Sequence, residues 1–178
     1  MEKKITIELS KKSIAEAIQK LEKYLESLSV GTNNGVKEAT ETLYRKVIDN
    51  CNEGNLGRFI GEVHQEYDKS KNIGRVWTKD MVVIINEYGS GIRGSESPHP
   101  KANGWKYDVN NHGEKGWWYP TDSSDPNPHK WVDDDGQLRA LTRGIKSKRM
   151  FYNAYKEVKK EYKKIVNMSL NAEIKKLY

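Results

Sequence analysis

One short segment has the residue types of a phosphate-binding loop. Gly89–Gly94 matches the G-x-G-x-x-G pattern of nucleotide-binding proteins and follows a possible strand. That chemistry requires a helix to begin at the glycines, so that its free N–H groups and its dipole meet a pyrophosphate. The next segment, Ser95–Pro100, ends in Pro-His-Pro and is not expected to open a helix. The sequence therefore predicts no nucleotide site here.

The metal-binding patterns are incomplete. Trp131–Gly136 resembles a calcium loop only briefly, because Trp131 stands at the first aspartate position and Thr142 at the closing glutamate position. Three histidines lie near aspartates, without the spacing that makes metal ligands converge. They are His99, His112 and His129, with Asp108, Asp122 and Asp125. We expect loop histidines bonded to backbone or water, and no metal or other cofactor.

The catalytic patterns are equally weak. Cys51 is the single cysteine, so an internal disulfide framework and a multi-cysteine zinc site are excluded, and its surroundings indicate a helix end. Carboxylate pairs for glycoside hydrolysis can be drawn from Glu87, Glu96 and Asp108, but any sequence offers many such pairs. The G-x-S-x-G signature of serine hydrolases does not occur. We expect no enzyme.

Two surface features remain as candidates for binding. Residues 137–178 hold 12 basic and 3 acidic side chains, a net charge of +9, whereas the rest of the chain has a net charge of −3. Five lysines share one face of the last predicted helix: Lys156, Lys159, Lys160, Lys163 and Lys164. That face is either solvated or contacts nucleic acid or an acidic partner. Four tryptophans between Gly89 and Gly136 form either a small local core or a sugar-stacking or protein-docking surface.

Length and composition indicate what kind of domain carries these residues. The chain has 178 residues, a formal net charge of +6, 5 Trp and 10 Tyr, which predicts a single folded but polar domain over residues 1–178. No apolar run approaches the roughly 18 residues of a membrane-spanning helix, and no apolar core of a signal peptide follows Met1–Lys4. We expect no membrane contact, and the single cysteine indicates folding in the cytosol.

The elements that must position these residues begin with a strand and two helices. Lys4–Leu9 alternates apolar and polar residues, as a half-buried strand does. A capping box at Ser13–Glu16 starts a helix that ends near Gly31, and a short turn at Asn33–Gly35 leads into a second helix ending around Cys51. So short a connection favours antiparallel packing of the two helices.

The middle of the chain has the pattern of β structure. A polar stretch between Phe59–Tyr67 and Gly74–Trp77 predicts a hairpin. Met81–Ile85 is too short for periodicity to separate a strand from a buried helix. Its β-branched residues favour a strand, while Thr78–Asp80 would make an acceptable helix start.

Residues 89–136 are rich in Gly, Pro, Asn, Asp and Trp and contain all 5 prolines. Their aromatic content indicates an ordered insertion with short β segments at Gly104–Asp108, Gly116–Tyr119 and Lys130–Asp133. Gln137–Thr142 is a further candidate strand, and helical spacing over residues 147–178 predicts a C-terminal helix. The expected fold class is α+β: an N-terminal strand and two helices, an antiparallel sheet with a long aromatic insertion, and a long C-terminal helix.

A resemblance to a known family joins several of these segments. Ile85–Ile92 resembles the E-[FY]-G-[TS]-G segment of the tail-component family of long-tailed phages, whose members act at the neck as tail-completion or head–tail joining proteins. Ser97–Pro100, the aromatic insert from Gly104 to Tyr119, and Thr142–Ala154 resemble further segments of that family in the same order. The similarity spans about residues 36–165.

Two segments depart from the family pattern. After the second helix the family has P-x-x-T-G-x-L, of which Asn52–Gly57 keeps only glycine and leucine. Arg149-Met150-Phe151 lacks the proline that precedes the aromatic residue in the family. Neither departure touches a catalytic residue, because the family has none known.

The resemblance implies a structural virion protein that forms a homo-oligomeric ring, expected to be hexameric, at the neck or tail end. Its partners would be other neck and tail proteins, such as the tail terminator, the tail tube and the head–tail connector, with DNA in the lumen as a further candidate. Assembly would take place in the cytoplasm of the host bacterium. A phage, a prophage and a contractile tail-like particle all remain open.

The residue types themselves suggest roles for individual positions. Gly89 and Gly91 would supply a structural turn, and at least one of them is expected to have a positive φ. The candidate interface residues are Glu87, Tyr88, Trp117, Trp118, Met150, Phe151, Lys156, Lys159, Lys160, Lys163 and Lys164. Two alternatives stay open: a module that binds or hydrolyses cell-wall glycan through Trp117, Trp118 and Glu87, and a basic protein that binds nucleic acid through its last helix.

Overall fold

The computed structural model describes residues 10–177 and has the predicted α+β class. Its α-helices are α1 (Lys11–Glu53), α2 (Met81–Tyr88), α3 (Gly91–Glu96) and α4 (Met150–Lys175), and its strands are β1 (Val63–Asp68), β2 (Ile73–Thr78), β3 (Trp117–Pro120), β4 (Lys130–Val132) and β5 (Leu138–Thr142). Within this range, two short 3-10 helices lie at Gly57–Glu62 and Gly113–Lys115. The predicted strand at Lys4–Leu9 lies outside the described residues, as does Tyr178. None of the described helices is long and apolar enough to cross a membrane.

The prediction of two N-terminal helices is wrong, because α1 continues through the expected turn as one helix of 43 residues. Both glycines in this stretch lie against α4. A Cβ on Gly31 would be 2.8 Å from the Leu170 Cα atom, and a Cβ on Gly35 would be 2.8 Å from the Val166 Cα atom. Glycine costs a helix about 1 kcal/mol relative to alanine. Here glycine is required because α1 and α4 approach each other closely. The chain does not reverse direction at these glycines.

The chain contains two compact units. The first comprises α1 up to residue 46, residues 64–77 of the β1–β2 hairpin, and α4 from residue 155; the second comprises residues 47–63 and 78–154. The four largest side chains with almost no exposure all belong to the second unit: Met150, Val47, Val83 and Cys51. The expectation of one domain over residues 1–178 stays a prediction.

The predicted hairpin is present, since β1 and β2 form a two-stranded sheet. Its first strand is shorter than the predicted segment Phe59–Tyr67, because residues up to Glu62 form a 3-10 helix and β1 begins at Val63. The open question at Met81–Ile85 is decided in favour of a helix. The Asp80 carboxylate accepts a hydrogen bond from the Val83 N–H (2.9 Å) and caps the first turn of α2. Gly89 follows the last residue of α2 with a φ of 87° and ends the helix.

One additional helix and one shifted helix start differ from the expectation. Gly91–Glu96 forms a short helix where none is expected, because Gly91 and Gly94 allow its backbone to approach neighbouring segments closely. The closing helix begins at Met150 rather than near Ser147. The residues before it bond to α2 instead, as the Lys148 N–H donates to the Asn86 carbonyl (2.8 Å).

Strands β3 and β4 of the insertion pair with β5, which confirms the candidate strand at Gln137–Thr142, in a three-stranded antiparallel sheet of order β3-β5-β4. The segment Gly104–Asp108 is not a strand, because its hydrogen bonds go elsewhere. The Trp105 Nε1–H donates to the Gly89 carbonyl (3.0 Å), and the Tyr107 carbonyl accepts from the Gly91 N–H (2.6 Å). This segment therefore covers the start of α3 and joins no ladder.

Candidate functional site

A buried carboxylate, that of Glu87 in α2, lies in the second unit and is 6% exposed. Its Oε2 atom accepts a hydrogen bond from the Phe151 N–H (2.9 Å), and its Oε1 atom accepts one from the Tyr152 N–H (3.0 Å). These N–H groups belong to the first turn of α4, where the helix itself provides no acceptor. Glu87 therefore caps α4 with a negative charge from a distant part of the chain.

His99 provides the third hydrogen bond to this carboxylate. Its side chain is 3% exposed, and its Nε2 atom lies 3.0 Å from the Glu87 Oε1 atom. Its Nδ1 atom accepts a hydrogen bond from the Lys101 N–H (3.0 Å). Because an N–H group can only donate, Nδ1 carries no proton and Nε2 is the donor. The pair is a neutral imidazole bound to a carboxylate that already has two backbone donors.

Aromatic rings enclose the pair. The Tyr88 ring lies 4.6 Å from the imidazole and stacks on Trp105 at 5.0 Å, while the Tyr152 ring meets the imidazole edge-on at 5.2 Å. The Tyr107 hydroxyl accepts a hydrogen bond from the backbone N–H of the histidine (3.1 Å). We call this group the Glu87 cluster: Glu87, Tyr88, His99, Trp105, Tyr107 and Tyr152.

The two glycines of the predicted turn connect the cluster to α3. Gly89 and Gly91 have φ values of 87° and 59°, in agreement with the expectation for at least one of them. A Cβ on Gly91 would be 2.5 Å from the Arg143 carbonyl oxygen. Next to it, the Ser90 N–H donates to the Ile145 carbonyl (2.9 Å) and the Ile145 N–H donates back (3.1 Å). The backbone around Ser90 is thus in direct contact with the backbone around Ile145, and a side chain at Gly91 would prevent this contact.

The segments that carry the family resemblance meet in this cluster. The first supplies the glutamate and the glycines, the Pro-His-Pro segment supplies the histidine, and the aromatic insert supplies Trp105 and Tyr107. The start of the closing helix supplies the two N–H donors, and the Ser147 hydroxyl just before it donates to the Glu87 carbonyl (2.7 Å). The residues of the pattern therefore form one junction between distant segments.

The polar groups of this junction pair with one another. All three hydrogen bonds to the Glu87 carboxylate described above come from within the chain. Burial, and secondarily the negative charge of Glu87, raise the pKa of the Cys51 thiol. A raised pKa keeps a thiol protonated and weakly nucleophilic.

The other predicted site residues lie in different environments. Trp117 and Trp118 are consecutive in β3 and therefore point to opposite faces of the sheet. Trp117 packs on the His112 ring at 4.8 Å, whereas Trp118 is 44% exposed. Met150 is 1% exposed, and Phe151 is half-buried. The residues named for a glycan site thus do not share one exposed surface.

Two histidines have carboxylate partners, which the expectation of bonds to backbone or water did not include. His99 binds Glu87, and the His112 Nδ1 atom lies 3.1 Å from the Asp108 Oδ1 atom. The Asp108 carboxylate also accepts from the N–H groups of Gly113 and His112, and these bonds lower its pKa. Within residues 10–177, no group of three His, Cys, Asp or Glu side chains is placed to hold a metal ion.

The five lysines of α4 that the sequence placed on one face project into solvent. At 3.6 residues per turn they cover about 140° of the helix circumference. Glu157 and Glu161 lie outside that arc, and the Lys159 ammonium lies 5.9 Å from the centre of the Tyr155 ring. We call these residues the lysine arc: Lys156, Lys159, Lys160, Lys163 and Lys164.

The sequence alone did not identify His99 as the partner of Glu87. One signal was available, because Glu87 is the single acid of the apolar helix Met81–Tyr88, and a buried carboxylate requires donors. The chain has 4 histidines, and local spacing does not say which of them reaches it.

Comparison of the chain with protein-family models, with curated proteins and with solved structures finds no match. The assignment of a function therefore rests on the residues and their geometry.

Proposed function

We propose that this chain is a structural subunit of a phage or phage-like particle, which forms a ring at the neck or tail end and completes the tail or joins it to the head. The observation that carries the proposal is the Glu87 cluster. Segments that resemble the tail-component family in sequence order meet there in a single junction.

Exposed apolar side chains support an assembling subunit. Ile14, Ile18, Leu21 and Leu25 follow helical spacing on α1 and are 41%, 51%, 47% and 64% exposed. Exposed apolar stripes of this kind mark interaction sites. In a ring, each subunit covers such surfaces with its neighbours.

The proposed role entails partners and a location. The ring is expected to be hexameric and coaxial with the tail, next to a tail terminator, a tail tube or a head–tail connector. The lysine arc would face an acidic protein or DNA in the lumen. The chain would be part of the virion after assembly in the bacterial cytoplasm, and the role requires neither a catalytic step nor a cofactor.

Cryo-electron microscopy of the intact particle tests this proposal. The expected result is density for several copies of the chain in a closed ring around the tail axis. A single copy per particle, or particles that lack the chain, would contradict it. Cells that cannot make the chain are expected to accumulate separate heads and tails, and normal infectious particles from such cells would also count against the proposal.

A further inference from the structure

The outer face of the β3-β5-β4 sheet is aromatic and exposed. The register pairs Trp118 with Leu141 and Trp131 with Arg139, so that these four side chains share one face. Trp118 is 44% exposed and Trp131 is 49% exposed, and their rings meet edge to face at 6.0 Å. We call these four residues the tryptophan face. Tryptophan and arginine are enriched at the centres of protein interfaces.

Carboxylates gather at one end of this sheet. β3 and β4 both run antiparallel to β5, so their C-terminal residues lie at the same end of the sheet. The segments that leave those ends contain five aspartates, which we call the acidic rim: Asp122, Asp125, Asp133, Asp134 and Asp135. With one lysine and one arginine in the same stretch, residues 117–142 have a net charge of −3.

Hydrogen bonds favour the ionised form of three carboxylates of the rim. The hydroxyl groups of Thr121 and Tyr119 lower the pKa of Asp125 to about 2. Hydrogen bonds from Ser124 lower the pKa of Asp122, and the bond from the Arg139 guanidinium lowers the pKa of Asp133. These three carboxylates therefore keep their negative charge below neutral pH and favour positive groups in a contact.

The net charge around the lysine arc is opposite in sign to that of this sheet and equal in size. Residues 155–168 contain five lysines and two glutamates, a net charge of +3. Tyr155 lies at the edge of the arc and is 51% exposed. Like charges so close together repel one another, and a surface of opposite charge relieves the repulsion. Both surfaces also present aromatic rings beside their charges.

We propose that the tryptophan face and acidic rim of one copy bind the lysine arc of a second copy. The ammonium groups would pair with rim carboxylates and lie over the indole rings of Trp118 and Trp131. Because the two surfaces are different parts of the chain, the contact is head-to-tail, and its repetition forms a ring when the rotation closes. The inference rests on the proposed function, since it names the contact that builds the ring.

Two charge-reversed variants test this contact. Lys159→Glu with Lys163→Glu makes the arc acidic, and Asp134→Lys with Asp135→Lys makes the rim basic. Each variant by itself opposes like charges and is expected to self-associate at least about tenfold more weakly than the wild type in sedimentation velocity at low salt. A mixture of the two is expected to recover association, because every contact then joins either two native or two reversed surfaces.

Controls separate this contact from general charge effects. Lys20→Glu with Lys23→Glu makes the same change in charge on exposed positions of α1 and is expected to associate like the wild type. Trp118→Ala removes an aromatic ring without changing charge and is expected to weaken association at least about tenfold. Circular dichroism should be the same for all variants, because the changed side chains are exposed.

The inference is overturned if the wild-type chain stays monomeric at millimolar concentration, if either charge-reversed variant associates normally by itself, or if their mixture does not associate. It is also overturned if Lys159→Glu with Lys163→Glu loses binding to duplex DNA while self-association is unchanged, since the arc would then be a nucleic-acid surface. These measurements use the isolated chain, so their failure is distinct from the absence of a ring in images of the particle.

Discussion

The Glu87 cluster and the lysine arc both concentrate charge, and they differ in where the partners of that charge lie. The Glu87 carboxylate is 6% exposed and accepts hydrogen bonds from His99 and from two backbone N–H groups of its own chain. The lysine arc projects its ammonium groups into solvent along α4. A buried charge must be compensated within the chain, whereas an exposed charge is already solvated by water.

This difference separates the residues that specify the fold from those available to a partner. The segments on which the proposed function depends are the ones that build the cluster, and the cluster lies within the second unit. The surfaces suited to assembly use other residues, such as Trp118, Trp131 and the lysine arc. Substitutions in the cluster should therefore change stability, and substitutions on the surfaces should change association.

Glu87→Ala is expected to have the largest effect on stability. It would leave the N–H groups of Phe151 and Tyr152 and the imidazole of His99 without their acceptor. Each buried donor that loses its acceptor costs about 1–3 kcal/mol, so the free energy of unfolding should fall by about 3 kcal/mol or more. Urea denaturation followed by circular dichroism measures this change.

Glu96→Ala is the matched control, because Glu96 is an exposed glutamate at the end of α3. It should change the free energy of unfolding by less than about 0.5 kcal/mol. Equal effects of the two substitutions would break the distinction between the cluster and the surface. Lys159→Glu with Lys163→Glu should behave like the control in this assay.

Gly91→Ala is expected to have the next largest effect. Its φ is 59°, and the added Cβ would lie 2.5 Å from the Arg143 carbonyl oxygen. Gly113 has a nearly identical φ of 58°, but a Cβ there would meet no atom within 4 Å. Backbone strain alone predicts a loss of about 1–2 kcal/mol for Gly113→Ala, and Gly91→Ala should exceed it by about 1–3 kcal/mol. Equal losses of stability for the two variants in thermal or urea unfolding would show that the close contact with the Arg143 carbonyl adds no cost.

Gly31→Ala should have the smallest of these effects, because two contributions oppose each other. Alanine improves helix propensity by about 1 kcal/mol, while a Cβ placed 2.8 Å from the Leu170 Cα atom costs about 1–3 kcal/mol of overpacking. We expect a net loss of about 1 kcal/mol in urea unfolding. Ser29→Ala, at an exposed position of the same helix, should be neutral or slightly stabilising. A stabilised Gly31→Ala variant would show that α1 and α4 can separate at no cost.

Local sequence patterns predicted those elements in which the buried residues recur with the spacing of the pattern. Met150, Ala154 and Val158 keep helical spacing in the sequence, and they are 1%, 0% and 6% exposed on the buried side of α4. The polar stretch between two β-like runs predicted the β1–β2 hairpin. In these elements the local pattern and the tertiary contacts require the same residues.

Other positions fit two structures equally well. A glycine such as Gly31 occurs both where a helix ends and where two helices approach closely, and only the presence of Leu170 opposite it decides between them. The β-branched run after Asp80 fits a strand or a buried helix, and the hydrogen bond from the Val83 N–H to Asp80 selects the helix. The segment around Trp105 has the residues of a strand, but its hydrogen bonds go to a neighbouring turn.

By itself, the sequence determined the α+β class, the position of the aromatic insertion and the polarity of the lysine face, because composition and spacing are local properties of a chain. Only the tertiary structure decided that Glu87 meets His99 and the first turn of α4, and that α1 remains one helix along Leu170. Those outcomes depend on which distant donor or backbone arrives at a given residue. No local spacing encodes that choice, since it is made by the free energy of burying and pairing groups from separate segments.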